Sequence, residues 1–145
     1  MDSFSRRSFI KKSFAASALA GFSIGRGGAA PANEKVNIAF IGIGQRAEED
    51  ARFFIKTGLV NVVAFCDVDT AQGPKLRAEF PQVPFYQDFR VMFEKMGAKI
   101  DAVCVGTPDH THFPICMLAA ALGKHFYVEK PLTHTFQECE LLMAA

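Results

Sequence analysis

From Val36 onward the chain alternates between two hydrophobic rhythms. "VNIAFIG" (Val36–Gly42) is a continuous apolar run rich in β-branched residues, the mark of a strand buried on both faces. "QRAEEDARFFIKTG" follows with a helical period. Ala47, Ala51, Phe54 and Ile55 share one side, Glu48, Glu49, Arg52 and Lys56 the other, and Gly58 supplies a stop. "VNVVAFCD" (Val60–Asp67) predicts a second strand, and "TAQGPKLRAEF" (Thr70–Phe80) a shorter helix with Gly73-Pro74 near its start. "VPFYQD" predicts a short strand, after which Asp88 caps a helix through "FRVMFEKM". "IDAVCVGT" (Ile100–Thr107) is another long apolar strand. "HFPICMLAAALGK" reads as a helix with Pro114 in its first turn and Gly123 closing it, and "HFYVEKP" as a further strand. Thr135-x-x-Glu138 has the form of a capping box opening a last helix.

Strands that alternate with helices in this way make a parallel sheet with right-handed crossovers. The fold expected is α/β: a doubly wound parallel sheet, the Rossmann dinucleotide-binding domain, in strand order 3-2-1-4-5. Ligands of such sheets bind outside the carboxyl ends of the strands, so the chemistry is sought in the loops that follow them.

Gly42-Ile43-Gly44-Gln45-Arg46-Ala47 gives G-x-G-x-x-A between a strand and a helix. Gly42 permits a tight turn, Gly44 lets the backbone approach a pyrophosphate, and Ala47 allows close helix–strand packing. The helix N-terminus offers free N–H groups and the positive dipole end to phosphates. Asp67 closes the second strand, where an acidic residue accepts from the ribose hydroxyls. A 2′-phosphate there meets like charge, at roughly 4 kcal/mol per pair for about 4 Å and an effective dielectric near 20. Asp67 therefore favours NAD over NADP. The plainer reading makes Asp67 a solvated turn residue with Asp69 sharing the work.

"TPDHTH" (107–112) follows the fourth strand and borders the crevice. His110-x-His112 suggests zinc, but no third ligand accompanies it, and no metal is expected. Asp109 and Thr111 are candidates to cap the next helix. Glu129-Lys130-Pro131 ends the fifth strand. A lysine on a cofactor rim can donate to a substrate hydroxyl; the plainer alternative is a rim lysine paired with Glu129.

The residues before this region read differently. Ser5-Arg6-Arg7-Ser8-Phe9-Ile10-Lys11 precedes a short apolar run, Phe14 to Gly25, and a small-residue stretch with Ala30-Pro31-Ala32 as an A-x-A-like site. Positions 1–32 are expected to be a twin-arginine signal peptide, and 33–145 an NAD-binding domain. The plainer reading is a basic arm. The apolar run is too short to span a bilayer as a helix, so no stable membrane span is expected, and the location expected is periplasmic or otherwise exported. The formal net charge is +1, and Arg6, Arg7, Lys11, Lys12 and Arg26 all fall in the leader. The rest is mildly acidic, which argues against nucleic acid as a partner. Cys66, Cys104, Cys116 and Cys139 sit in apolar contexts without zinc spacing, and buried free thiols are expected.

Together "GIGQRA", "CDVD", "GTPDHTH" and above all "GKHFYVEKPL" resemble the glucose–fructose oxidoreductase / inositol dehydrogenase (Gfo/Idh/MocA) family from Val36 to about Ala145. The resemblance implies an N-terminal Rossmann domain for NAD(P) and a C-terminal substrate domain on a large open sheet. It implies that Gly42, Gly44, Gln45 and Arg46 hold the pyrophosphate and Asp67 the ribose. Thr107, Pro108 and His112 would line the cofactor cleft. Glu129 and Lys130 would sit near nicotinamide and substrate, with Lys130 the catalytic residue. Ala47 departs from the commoner glycine. A full member continues through a sixth strand and the substrate domain, so the expectation is an N-terminal piece or a truncated gene product, with the fold incomplete at the C-terminus. Three functions follow: an oxidoreductase acting on a sugar or polyol by hydride transfer, a redox-neutral NAD-dependent glycosidase, or a cofactor-binding fragment without activity. The partners expected are the nicotinamide dinucleotide and a sugar or polyol. A homo-oligomer is open in the full-length protein.

Overall fold

The computed structural model describes residues 35–145. The leader, its Ala30-Pro31-Ala32 site and Asn33 lie outside the described residues. Strands β1 (Val36–Ile41), β2 (Val60–Cys66), β3 (Phe85–Tyr86), β4 (Ala102–Val105) and β5 (His125–Val128) form one sheet in the order β3-β2-β1-β4-β5. Every neighbouring pair is parallel. Helices α1 (Gln45–Lys56), α2 (Pro74–Glu79), α3 (Phe89–Met96), α4 (His112–Ala121) and α5 (Phe136–Ala144) follow the strands in turn. This is the doubly wound α/β fold, with the strand order read from the sequence.

The two sheet faces explain the unbroken apolar runs. Ile38 and Phe40 of β1 pack with Phe65, Ala51 of α1 and Leu76 of α2. Ala39 and Ile41, one residue out of phase, pack with Val103, Val105, Met92 of α3, Ile115 of α4 and Leu142 of α5. Alternate side chains thus enter two cores, and neither set can be polar. Phe40 and Phe65 stack at 6.2 Å between ring centroids, and full burial of each contributes about 1.5–3 kcal/mol.

Several boundaries differ from the sequence reading. The helix expected from Thr70 starts at Pro74. Asp69 takes the preceding residues into a turn, its carboxylate accepting from the Ala71 N–H at 2.9 Å. Proline fits the first helical position because that N–H needs no intrahelical partner. Strand β4 begins two residues after Ile100, which is nonetheless buried. The hydrophobic run reports burial there, whereas the ladder stops where its partners stop. Two of the caps fall as read. The Asp88 side chain accepts from the Arg90 N–H, and Thr135 and Glu138 form the reciprocal capping box of α5.

The strand ends place the motifs in one row. Asp67 N–H donates to Tyr86 O, Gly42 N–H to Cys66 O, Gly106 N–H to Ile41 O and Glu129 N–H to Val105 O, at 2.8–3.0 Å. Asp67, Gly42, Gly106 and Glu129 therefore stand side by side along the carboxyl edge, one strand spacing of about 4.8 Å apart. The chain reverses its direction of strand addition between β1 and β4, and the crevice at that point is where such sheets bind ligands.

Candidate functional site

Gly42 has φ +82°, which an L side chain rarely adopts. A Cβ there would also lie 2.7–2.8 Å from the backbone of Gly106 and Thr107. The turn after β1 thus nests against the loop after β4 with no room for a methyl group. Gly106 meets α1 in the same way: a Cβ on it would stand 2.5 Å from Ala47 Cβ. The close packing expected of Ala47 has Gly106 as its other half, a role the sequence reading did not single out. At Gly44 the space of a Cβ is held by the Gln72 amide, whose Nε2 donates to Asp69 at 3.1 Å. A polar group already makes the close backbone approach that a pyrophosphate would need. Gln45, in the same turn, has φ +38°, a conformation that costs a non-glycine residue about 1 kcal/mol or more.

Asp67 does more than end β2. Its Oδ2 accepts from the Ile43 N–H at 2.9 Å and its Oδ1 from the Asp69 N–H at 3.0 Å. The carboxylate ties the glycine loop to the end of β2, and each oxygen keeps a further acceptor site. Asp67 is half-buried and Asp69 exposed on the same rim.

These groups surround a cavity of about 610 Å³, within the range of about 300–1,000 Å³ usual for small-molecule and cofactor sites. Gly42, Gly44, Gln45, Arg46, Asp67, Thr107 and Pro108 line it, together with Asp69 and Gln72. The glycine cradle, the helix start and the acid at the second strand's end fit a dinucleotide.

Three of the expected residues stand outside the lining. His112 is buried, with Nδ1 2.7 Å from Pro131 O and Nε2 2.8 Å from Thr107 O. It brackets the loop after β4 to the loop after β5, where the resemblance had implied a cleft-lining side chain. The neutral ring carries one N–H and donates to one carbonyl; the doubly protonated ring donates to both. His110 is exposed and lines the cavity, whereas both ring nitrogens of His112 face backbone carbonyls. No group of metal-binding side chains assembles among the described residues. Neither Asp109 nor Thr111 caps α4 with its side chain. The Thr111 hydroxyl instead lies 2.8 Å from Thr107 Oγ1 and 2.7 Å from Pro108 O.

Glu129 pairs with Arg46, not with Lys130: Glu129 Oε1 is 3.5 Å from Arg46 Nη2. The same guanidinium reaches Glu49 at 2.9 Å and Asp50 at 3.1 Å. Arg46 is therefore a joint between α1 and the end of β5 as well as a cavity residue. These carboxylates, Asp50 foremost, raise its pKa further. Lys130 is exposed at the carboxyl edge and makes no ion pair with another described residue. Its neighbours are both anchored, Glu129 by Arg46 and Pro131 by His112. Asp50 went unnoticed in the sequence. Its signal is an acid three residues after Ala47, on a side of the helix otherwise apolar.

A parallel sheet with this row of groups at its carboxyl edge is the architecture of a dinucleotide-binding Rossmann domain. The comparisons with known proteins agree: residues 36–145 match the Gfo/Idh/MocA group, described as an oxidoreductase family with an NAD-binding Rossmann fold, and the chain belongs to that family. An α-N-acetylgalactosaminidase from Shewanella oneidensis is 31% identical over 117 residues, covering 76% of this chain and 26% of that protein. The structure of myo-inositol 2-dehydrogenase from Lactobacillus plantarum is 26% identical, with TM-score 0.69, over 77% of this chain and 32% of that one. An inositol dehydrogenase homologue from Azotobacter vinelandii, complexed with NAD+, is 28% identical, with TM-score 0.66, over 77% and 31%. The chain thus spans about a quarter of the length of the curated relatives it matches. Its cofactor is NAD.

Proposed function

We propose that this chain is the NAD-binding domain of an exported enzyme that moves hydride between a sugar or polyol carbon and nicotinamide. The observation that carries the reading is the single row of Asp67, Gly42, Gly106 and Glu129 along the carboxyl edge, with Lys130 next in the chain. Bound NAD supplies the hydride acceptor. The residues of this chain bind and orient: Gly44 and the start of α1 at Gln45 and Arg46 present backbone N–H groups, and Asp67 accepts from ribose hydroxyls. Lys130 donates a hydrogen bond to the substrate hydroxyl and supports the alkoxide character that grows as hydride leaves. Export rests on the Arg6-Arg7 motif and its apolar follower; cell fractionation tests it, with cytoplasmic retention of an Arg6→Lys, Arg7→Lys variant expected.

A second reading has one observation in its favour. The sugar-hydrolase names of several relatives, glycosyl hydrolase family 109 and α-N-acetylgalactosaminidase, suggest a redox-neutral glycosidase in which the hydride returns within one cycle. Such a cycle suits an exported protein cut off from cytoplasmic NAD. The test uses the protein encoded by the whole reading frame. Net NADH fluorescence on adding a polyol favours the dehydrogenase. Nitrophenol release from an aryl glycoside without net NADH favours the glycosidase. Neither product, with NAD bound, leaves a cofactor-binding fragment.

A further inference from the structure

Among the described residues two polar or charged side chains are buried, His112 and Asp50. His112 has a partner for each nitrogen. Asp50 does not: its Oδ2 is buried without a hydrogen-bond partner. Asp50 sits one helical turn after Arg46, on the side of α1 turned toward the end of β5. Its Oδ1 lies 3.1 Å from Arg46 Nη2, and Glu129 Oε1 lies 3.5 Å from the same nitrogen. Two carboxylates thus converge on one nitrogen of one guanidinium. Both are acceptors only when ionised, so they cannot bond to one another. A proton between them gives the orphaned group a partner. It also leaves one negative charge on the pair against the one positive charge of Arg46.

We propose that Asp50 and Glu129 hold one proton between them beneath Arg46, and that Asp50 is thereby a positioning residue for the carboxyl end of β5, where Lys130 stands. The positioning role rests on the reading of Lys130 as the acid–base group; the shared proton does not. The electrostatics run the same way. Burial first, then contact with Glu129, pushes the Asp50 carboxyl above the ordinary range, with Arg46 opposing. Burial raises Glu129 too, but the hydrogen bond from Asp50 and the charge of Arg46 outweigh it and hold Glu129 below its ordinary value. The titratable groups that face Asp50 are Arg46 and Glu49 on α1, Glu129 and Tyr127 on β5 and its end, and Cys104 on β4. The Cys104 thiol is pushed up to about 12 and the Tyr127 phenol is also raised, both chiefly by burial, so neither adds charge at neutral pH.

The pair therefore works as a monoanion. The stability that Asp50 supplies is full below the ordinary aspartate pKa and is lost as pH rises through its raised value. The stability that Glu129 supplies is present above the ordinary glutamate pKa and is lost as pH falls through its lowered value. The two contributions coincide from about pH 4 up to the raised midpoint of Asp50. Asp50→Asn imitates the protonated acid, since its amide donates to Glu129 while its oxygen accepts from Arg46. Its stability relative to the wild type should therefore improve as pH rises.

The experiment is a carboxyl-carbon NMR titration of this chain, with amide hydrogen exchange at Glu129, whose N–H is bonded to Val105 O. Expected are a Glu129 midpoint below and an Asp50 midpoint above the ordinary values, each curve carrying an inflection at the other's midpoint. In Asp50→Asn, Glu129 should titrate in a single step. Exchange at Glu129 should match the wild type in Asp50→Asn and quicken about tenfold or more in Asp50→Ala. Two independent titrations at ordinary values overturn the shared proton. An alanine variant as slow as the wild type, or an asparagine variant as fast as alanine, overturns the positioning role. None of these readouts needs NAD or substrate. Absent NAD binding would sink the proposed function alone, and independent titrations would sink this inference alone.

Discussion

Gly106→Ala places a methyl group 2.5 Å from Ala47 Cβ and 3.0 Å from Ala47 Cα. Carbon atoms settle at about 3.5–4.0 Å, so α1 or the loop after β4 must yield by roughly 1 Å. Overpacking of this kind costs about 1–3 kcal/mol, and the absence of a flexible side chain at the contact puts the expected loss near the middle, about 2 kcal/mol. Ala47→Gly alone costs about 1 kcal/mol, because glycine is a poor helix residue. Combined, the two changes remove the Cβ–Cβ overlap and leave only the tight approach to Ala47 Cα. The double variant should therefore be less destabilised than the sum of the singles by about 1 kcal/mol or more. Urea unfolding followed by circular dichroism measures this, provided the slopes stay equal across the four proteins. NAD affinity should follow, since the displaced helix start carries the phosphate-facing N–H groups. Additivity within about 0.3 kcal/mol would refute the close approach of α1 to β4 on which the crevice depends.

His112→Ala removes both bracket contacts and empties a buried side-chain site, at an expected cost of about 2–4 kcal/mol by chemical denaturation; His112→Gln, which can still donate to one carbonyl, should cost less. Burial pushes the Cys66 and Cys104 thiols up to about 12 and Cys116 to about 11. Iodoacetamide should therefore label Cys139 first in the native protein, and rapid native labelling of the other three would contradict the packing of the sheet. Lys130→Ala in the protein encoded by the whole frame should lower turnover by about two orders of magnitude with NAD affinity little changed. Lys130→Arg should not restore it. Near-normal turnover would make Lys130 a rim residue.

Hydrophobic rhythm made the strands legible, because β1, β2 and β4 are buried on both faces over most of their length, and the fold type then set their order. It did not reveal where ladders end: Ile100 is as buried as any strand residue yet precedes β4. The glycine loop and Asp67 were legible because their spacing is fixed along one continuous strand–helix–strand unit, β1-α1-β2. Gly106, Asp50 and the bracket made by His112 were not. Each depends on which distant segments meet, Gly106 with Ala47, Asp50 with Glu129, and His112 with Pro131. Arg46 shows the same limit, since the motif points it at phosphate while the fold surrounds it with three carboxylates.

Under the proposed function the carboxyl-edge crevice takes the dinucleotide with Asp67 at the ribose. Titration calorimetry of this chain with NAD and with NADP, repeated on Asp67→Ser, tests it most directly. The wild type should bind NAD more tightly than NADP by roughly tenfold or more, since a 2′-phosphate would face Asp67 with Asp69 on the same rim. Asp67→Ser should weaken NAD, narrow that preference and loosen the loop that the Ile43 N–H holds to the carboxylate at 2.9 Å. Equal or tighter binding of NADP by the wild type, or a serine variant with an unchanged preference, would remove Asp67 from the ribose site.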